Sequence, residues 1–129
     1  MDTPKIIKLT TKDSVLTIAE CDNLPFIVKR IFWLDNIEAE EIRGEHAHRT
    51  SQQLLICLNG SLTIDLEDTS HKTYSFKLSS SNEALYMPPM HWGKITYSKP
   101  STVLSVASDE YDETDYIRDY QEFKSINKL

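Results

Sequence analysis

The chain has 129 residues, the size of one domain, and its 40% hydrophobic and 26% charged residues are those of an ordinary globular protein. The 14 Lys and Arg against 20 Asp and Glu give a net charge of −6, which argues against a general nucleic-acid binder, because neutralising phosphates needs a basic surface. No apolar run approaches the roughly 20 residues that span a bilayer, and the N-terminal MDTPKIIKLTTKD has no apolar signal core, so a cytoplasmic protein without a membrane partner is expected.

Lys5–Leu9 and Val15–Ala19 read as short strands able to pair with a second subunit and so cover an exposed sheet edge. Phe26–Leu34 (FIVKRIFWL) is rich in β-branched and aromatic residues and reads as a strand. The acidic Asp35–Glu41 reads as a solvated loop, and Arg43–His48 as the next strand. Gln52–Leu58 is a continuous apolar run, followed by Asn59-Gly60, a dipeptide that favours a two-residue hairpin turn with positive φ. Ser61–Glu67 alternates strictly, with Leu62, Ile64 and Leu66 on one face. Thr73–Leu78 alternates again, and Ala84–Met87, Gly93–Tyr97 and Thr102–Ala107 complete the strands. From Asp112 to Lys128, Tyr116, Tyr120 and Phe123 recur at helical spacing, with Thr114 as a candidate cap. Short strands with frequent turns predict an antiparallel sandwich or barrel with one C-terminal helix. The two cysteines, Cys21 and Cys57, have no metal-knuckle or disulfide-framework spacing, and Cys57 in Leu54–Leu58 reads as a buried hydrophobe.

The densest chemical signal is Arg43-Gly44-Glu45-His46-Ala47-His48. Histidines at i and i+2 of a strand project from one face, close enough to share a site. Such a pair can ligate a metal or supply a base and the partner that tunes it. The spacing also resembles a cupin motif, and that resemblance implies a carboxylate ligand where Gln53 stands and, five residues after Pro88, a further His where Gly93 stands, with His91 two residues earlier. Two imidazoles and a neutral amide make a poor divalent site, so a site without metal or cofactor is expected, with His46 or His48 as base.

The spacing of Gly44, His46, His48, Gln53 and Gly60 resembles the first motif of the cupin superfamily. Within it, RGEHAHRTSQQLLICLNGSLTIDLED, ALYMPPMHW and VASDEYDETDYIRDYQEF resemble the dTDP-sugar 3,4-ketoisomerases, which also occur fused to acetyltransferases, over about Lys29 to Phe123. The resemblance implies an all-β cupin jelly roll with a short C-terminal helix, one domain over 1–129, assembled as a homodimer. It implies conversion of a dTDP-4-keto-6-deoxyhexose to its 3-keto isomer, on the way to 3-amino-3,6-dideoxy sugars of surface polysaccharide. That reaction removes the C3 proton beside a ketone, forms an enediol(ate) and reprotonates C4, work suited to a near-neutral histidine base and a fixed donor for the oxyanion.

His46 and His48 are then the catalytic pair. Arg43 is the candidate oxyanion or diphosphate contact, its planar fork matching phosphate. Arg30, Gln53, Tyr86 and Trp92 are candidate substrate contacts, the aromatics by stacking on base or sugar. The terminal tyrosines read as helix-packing residues. One departure is that many family members carry Tyr-Tyr after the Lys-Arg pair, whereas Lys29-Arg30 is followed here by Ile31-Phe32-Trp33. A cupin of the 3,5-epimerase kind and a non-catalytic sugar-nucleotide binding module are the alternatives, separated by whether a stereocentre inverts, a carbonyl moves, or neither happens.

Overall fold

The computed structural model describes residues 2–126. Twelve strands run through them: β1 (Lys5–Lys8), β2 (Thr10–Lys12), β3 (Leu16–Ile18), β4 (Arg30–Ile37), β5 (Ile42–His48), β6 (Gln53–Asn59), β7 (Leu62–Glu67), β8 (Thr73–Leu78), β9 (Glu83–Met87), β10 (Trp92–Tyr97), β11 (Ser101–Ala107) and β12 (Tyr116–Ile117). One helix, α1 (Tyr120–Lys124), follows. Two five-stranded antiparallel sheets form, in the orders β1-β9-β6-β11-β4 and β12-β5-β10-β7-β8, with β2 and β3 as a separate hairpin. This is the cupin-type jelly-roll sandwich that the sequence led us to expect. None of the described helices is long and apolar enough to cross a membrane.

Alternation decides what each sheet buries. Leu62, Ile64 and Leu66 of β7 point into the space between the sheets and meet Leu55, Leu85 and Val103 of the facing sheet. The β6 run is continuous because its sheet is covered on both faces. Leu55 and Cys57 enter the inter-sheet core, while Leu54 and Ile56 pack outward under Leu24, Phe26 and Val28. A third cluster forms where Ile117 and Phe123 of the C-terminal segment close over Ala47.

Four expectations are corrected. Asn59-Gly60 is not a hairpin turn: β6 and β7 lie in different sheets, so the dipeptide is the corner where the chain crosses between them. Only Gly60 of the pair has positive φ, at 107°, and a Cβ there would fall 2.6 Å from Pro100 O and 2.8 Å from Ser101 Cα. The acidic segment is loop only from residue 38, because β4 continues to Ile37, which is buried and pairs with Ser101. Regular pairing in the FIVKRIFWL segment starts at Arg30, the preceding residues lying across the outer face of the first sheet.

The expected C-terminal helix is broken up. Asp112 caps a 3₁₀ turn at Glu113–Asp115, Tyr116 and Ile117 pair with His48 and Ala47, and Asp119, not Thr114, caps α1. Each aspartate accepts a backbone N–H two residues on, offering the chain a stop that competes with helix propagation. The part of that expectation at 127–128 lies outside the described residues. At the N-terminus, β1 pairs with β9, and β3 with β2, within the same chain.

Candidate active site

The site lies between the sheets, on the inner face of β5. A bulge prepares it: β10 pairs Gly93 with His46 but Ile95 with Arg43, so Gly44 and Glu45 together oppose Lys94. Gly44 takes φ of 70°, the left-handed conformation that such bulges reserve for glycine. Arg43 and His46 are three apart and would face opposite sides of a regular strand. The bulge turns both, with His48, into one cavity of about 270 Å³. Leu55, Ile64, Leu66 and Val103 form its apolar floor.

His46 and His48 have ring centroids 5.0 Å apart and nearly perpendicular planes. Tyr116, placed by its pairing with His48, stands 5.1 Å from the first ring and 4.4 Å from the second. The two imidazoles are engaged differently. His48 Nδ1 lies 3.0 Å from Asp115 Oδ2 and its Nε2 3.1 Å from Gln53 Nε2. A carboxylate only accepts, so Nδ1 carries the proton and Nε2 accepts from the Gln53 amide. Asp115 is itself fixed by Thr50, whose N–H and hydroxyl reach Oδ1 at 2.7 and 2.9 Å. Burial pushes the His48 pKa below its ordinary value and the Asp115 carboxylate only partly opposes this.

His46 makes no hydrogen bond among the described residues. Burial, then the neighbouring His48 and Arg118, bring its pKa down to about 4, against a smaller opposing pull from Glu113. At neutral pH it is an uncharged imidazole with an uncommitted lone pair.

Charge gathers at the rim. Arg43 pairs with Glu41 of the acidic loop and lines the cavity as well. Arg118 lies 4.2 Å over the Tyr116 ring and binds Glu113 through two nitrogens at 2.6 and 3.0 Å. That bidentate grip, with the Tyr111 hydroxyl, lowers the Glu113 pKa to about 2. Inside, the Tyr97 and Ser105 hydroxyls are buried without a partner among the described residues, although both residues line the cavity. Among the described residues no group of three His, Cys, Asp or Glu is placed to hold a metal ion.

The structure thus brings His46, His48, Arg43 and Gln53 together, with the Gln53 amide turned to His48. Arg30 shares the inward face of β4 with the cavity-lining Phe32, its guanidinium between the rings of Phe32 at 4.9 Å and Tyr111 at 5.6 Å, and, after burial, its charge helps to lower the His48 pKa. Two expected contacts lie elsewhere. Tyr86 packs on the far face of the first sheet, its hydroxyl 2.7 Å from Gln52 Oε1. Trp92 points out of the second sheet onto Tyr120 and Phe123, because it neighbours the inward Gly93 and successive residues alternate. Phe32 lines the cavity and Trp33 faces outward, so the departure from Tyr-Tyr leaves one apolar ring at the wall.

Sequence reasoning missed Asp115, Tyr116 and Arg118. A helical reading of the tail hid the alternation Tyr116-Ile117-Arg118, cavity-core-cavity, between two capping aspartates. His91 also lines the cavity.

Known proteins are similar to this chain in sequence and fold. A family model described as FdtA: WxcM-like, C-terminal, matches residues 2–128. A TDP-4-oxo-6-deoxy-alpha-D-glucose-3,4-oxoisomerase of Aneurinibacillus thermoaerophilus is 38% identical over 117 residues, 90% of this chain and 84% of that protein. The sugar 3,4-ketoisomerase QdtA of Thermoanaerobacterium thermosaccharolyticum, solved with TDP, superposes with a TM-score of 0.86 at 32% identity, covering 94% of this chain and 91% of its own. The TDP-fucose-3,4-ketoisomerase WlaRA of Campylobacter jejuni gives 0.86 and 32% over 98% and 97%. Matched along nearly its whole length by the family model, and by these relatives in sequence and fold, the chain belongs to the FdtA family (WxcM-like, C-terminal).

Proposed function

We propose that this chain is a TDP-sugar 3,4-ketoisomerase, moving the keto group of a TDP-4-keto-6-deoxyhexose from C4 to C3 with His46 as the base. The observation that carries the assignment to His46 is the unequal state of the two histidines. His48 is clamped between Asp115 and Gln53, while His46 is neutral and unengaged on the cavity wall. When His46 takes the C3 proton, the imidazolium stands beside an enediolate, and that opposite charge offsets the cost of burying a cation. His48 is a positioning residue, its ring packed edge-on against His46. Arg43 and Arg118, at the rim, suit the diphosphate, because a planar guanidinium pairs with phosphate oxygens in bidentate fashion. The enclosed apolar floor keeps water from the enediolate. The Ile31 and Trp33 side chains, 56% and 60% exposed on the edge strand β4, support a homodimer through that face.

The test is a proton NMR time course in D₂O with TDP-4-keto-6-deoxyglucose. The native protein is expected to remove the C3 proton signal and yield a 3-keto product. His46→Asn is expected to lose both by a factor of about 10²–10⁴, the usual worth of a general base. Full activity in His46→Asn refutes its role. Exchange without a moved carbonyl turns the reading to epimerase-type chemistry, and bound TDP without exchange turns it to a binding module.

A further inference from the structure

The cavity is lined by two hydroxyls that the chemistry above does not use, those of Tyr97 and Ser105, each buried without a partner among the described residues. Tyr97 ends β10, at the far end of that strand from Gly93, the partner of His46. Ser105 lies in the middle of the facing sheet and is 4% exposed. Its strand, β11, turns Val103 and Ser105 inward and Leu104 and Val106 outward, and its cross-strand partners Leu55 and Phe32 line the cavity on either side of it. A hydroxyl taken out of water and given no hydrogen bond weakens the fold, so its retention calls for a reason.

Its position supplies one. Gln53 pairs with Ala107, which makes Ser105 the diagonal neighbour of Gln53 on the same inner face. The Gln53 side chain crosses the gap between the sheets, and its amide nitrogen lies 3.1 Å from His48 Nε2. The shorter Ser105 side chain leaves the gap open where it faces the β5 histidines. Among the described residues, only Gln53 and Ser105 of the first sheet's cavity-lining strand residues carry hydrogen-bonding side chains. Gln53 is committed to His48, and Arg30 is held between two rings. Ser105 is therefore the uncommitted donor on the wall across from His46.

The substrate class limits what this donor can hold. In a TDP-4-keto-6-deoxyhexose, O1 carries the diphosphate, O5 closes the ring, C6 is a methyl group, and O3 and O4 are the reacting oxygens. O2 alone is a spectator hydroxyl. We propose that Ser105 is a specificity-determining residue whose hydroxyl donates to O2 of the hexose, so that the protein selects 2-hydroxy over 2-deoxy sugars. The inference rests on the ketoisomerase reading and deepens it. Held at C1 through the diphosphate and at C2 through Ser105, the ring presents C3 to His46 in one orientation.

The experiment measures kcat/KM for 3-keto product from TDP-4-keto-6-deoxyglucose and from its 2-deoxy counterpart, in the native protein and in Ser105→Ala. The native protein is expected to prefer the 2-hydroxy sugar by about 10–100-fold, the worth of a buried hydrogen bond whose loss leaves a hydroxyl unpaired. Ser105→Ala is expected to lose about that factor on the 2-hydroxy sugar and to change less than about threefold on the 2-deoxy sugar, so that the preference collapses. Comparing the two ratios cancels any effect of O2 on the acidity of the C3 proton. The variant is also expected to melt at or above the native temperature, because it removes an unpaired buried hydroxyl. A native preference below about threefold overturns the proposal, as does an unchanged preference in Ser105→Ala. Equal loss on both sugars overturns it too, since the hydroxyl would then act on the reacting atoms or on the fold. If Ser105→Ala does not fold, Ser105→Cys, a near-isostere with a weak donor, is read in the same way. A native protein that isomerises neither sugar refutes the ketoisomerase reading, and this inference with it, before any variant is made.

Discussion

Replacing Asp115 by Asn tests the clamp on His48, because the change removes one acceptor and almost no volume. The carboxylate accepts from His48 Nδ1 at 3.0 Å and from the Thr50 N–H and hydroxyl at 2.7 and 2.9 Å, with 11% of its side chain exposed. Asn has one oxygen. If it keeps Thr50, its NH₂ faces the Nδ1 proton of His48, and the imidazole escapes only by moving that proton to Nε2, into the donating amide of Gln53. One charge-assisted hydrogen bond, worth about 1.5–3 kcal/mol, is lost, and another exchanges a charged acceptor for a neutral one at about 1 kcal/mol. The sum is about 3 kcal/mol. For a domain of this size each kcal/mol lowers Tm by roughly 3–5 °C, so a fall of about 10 °C is expected in circular-dichroism melting at pH 7.

The pH dependence has a definite sign. Burial alone would raise the Asp115 pKa, but the Thr50 and His48 bonds outweigh it and hold it below the ordinary carboxyl value. A group depressed on folding stabilises above its unfolded pKa, about 4, and loses that contribution as the pH falls through the lower folded value. The gap between native and variant Tm should therefore hold from pH 7 to 5 and narrow below about pH 4. A variant that melts within about 2 °C of the native protein at pH 7 refutes the argument that this carboxylate anchors the site.

The pKa of His46 is lowered to about 4 from its ordinary 6.5, so the unfolded chain binds a proton that the native state refuses. Stability should be full above about pH 6.5 and fall toward pH 4 by at most about 3 kcal/mol from this group. In His46→Gln the drop in urea midpoint from pH 7 to 5 should shrink, and an unchanged drop would show that this imidazole titrates normally. Gly60→Ala would force a Cβ within 3 Å of the backbone at Pro100 and Ser101, at φ of 107°. A loss of about 2–4 kcal/mol or an insoluble protein is expected, and a native urea midpoint would show that the corner relaxes.

How far the site can be read from the chain differs by residue. His46 and His48 are legible because a spacing of two on a strand fixes a common face whatever the strand packs against. Arg43 is less so. Its place in the cavity depends on the bulge at Gly44, which reverses the facing of a residue three positions from His46. Gln53 was legible as an inward polar residue, but its partner, His48, is a tertiary fact. Tyr86 and Trp92 show the limit, since aromatic character is equally compatible with cavity wall and outer packing, and only the pleat at Gly93 decided that Trp92 faces out.

The sequence by itself determined the β class, the alternating strands and the paired histidines, because these follow from periodicity along a few consecutive residues. It also carried the family resemblance in its motifs. Only the tertiary structure decided that Asn59-Gly60 is a crossing between sheets, that Asp115, Tyr116 and Arg118 come back to His48 from more than sixty residues away, and that His48 is clamped while His46 is free. These features depend on which strands become neighbours, a choice made by burying both faces of the β6 sheet at once, and no local pattern encodes it.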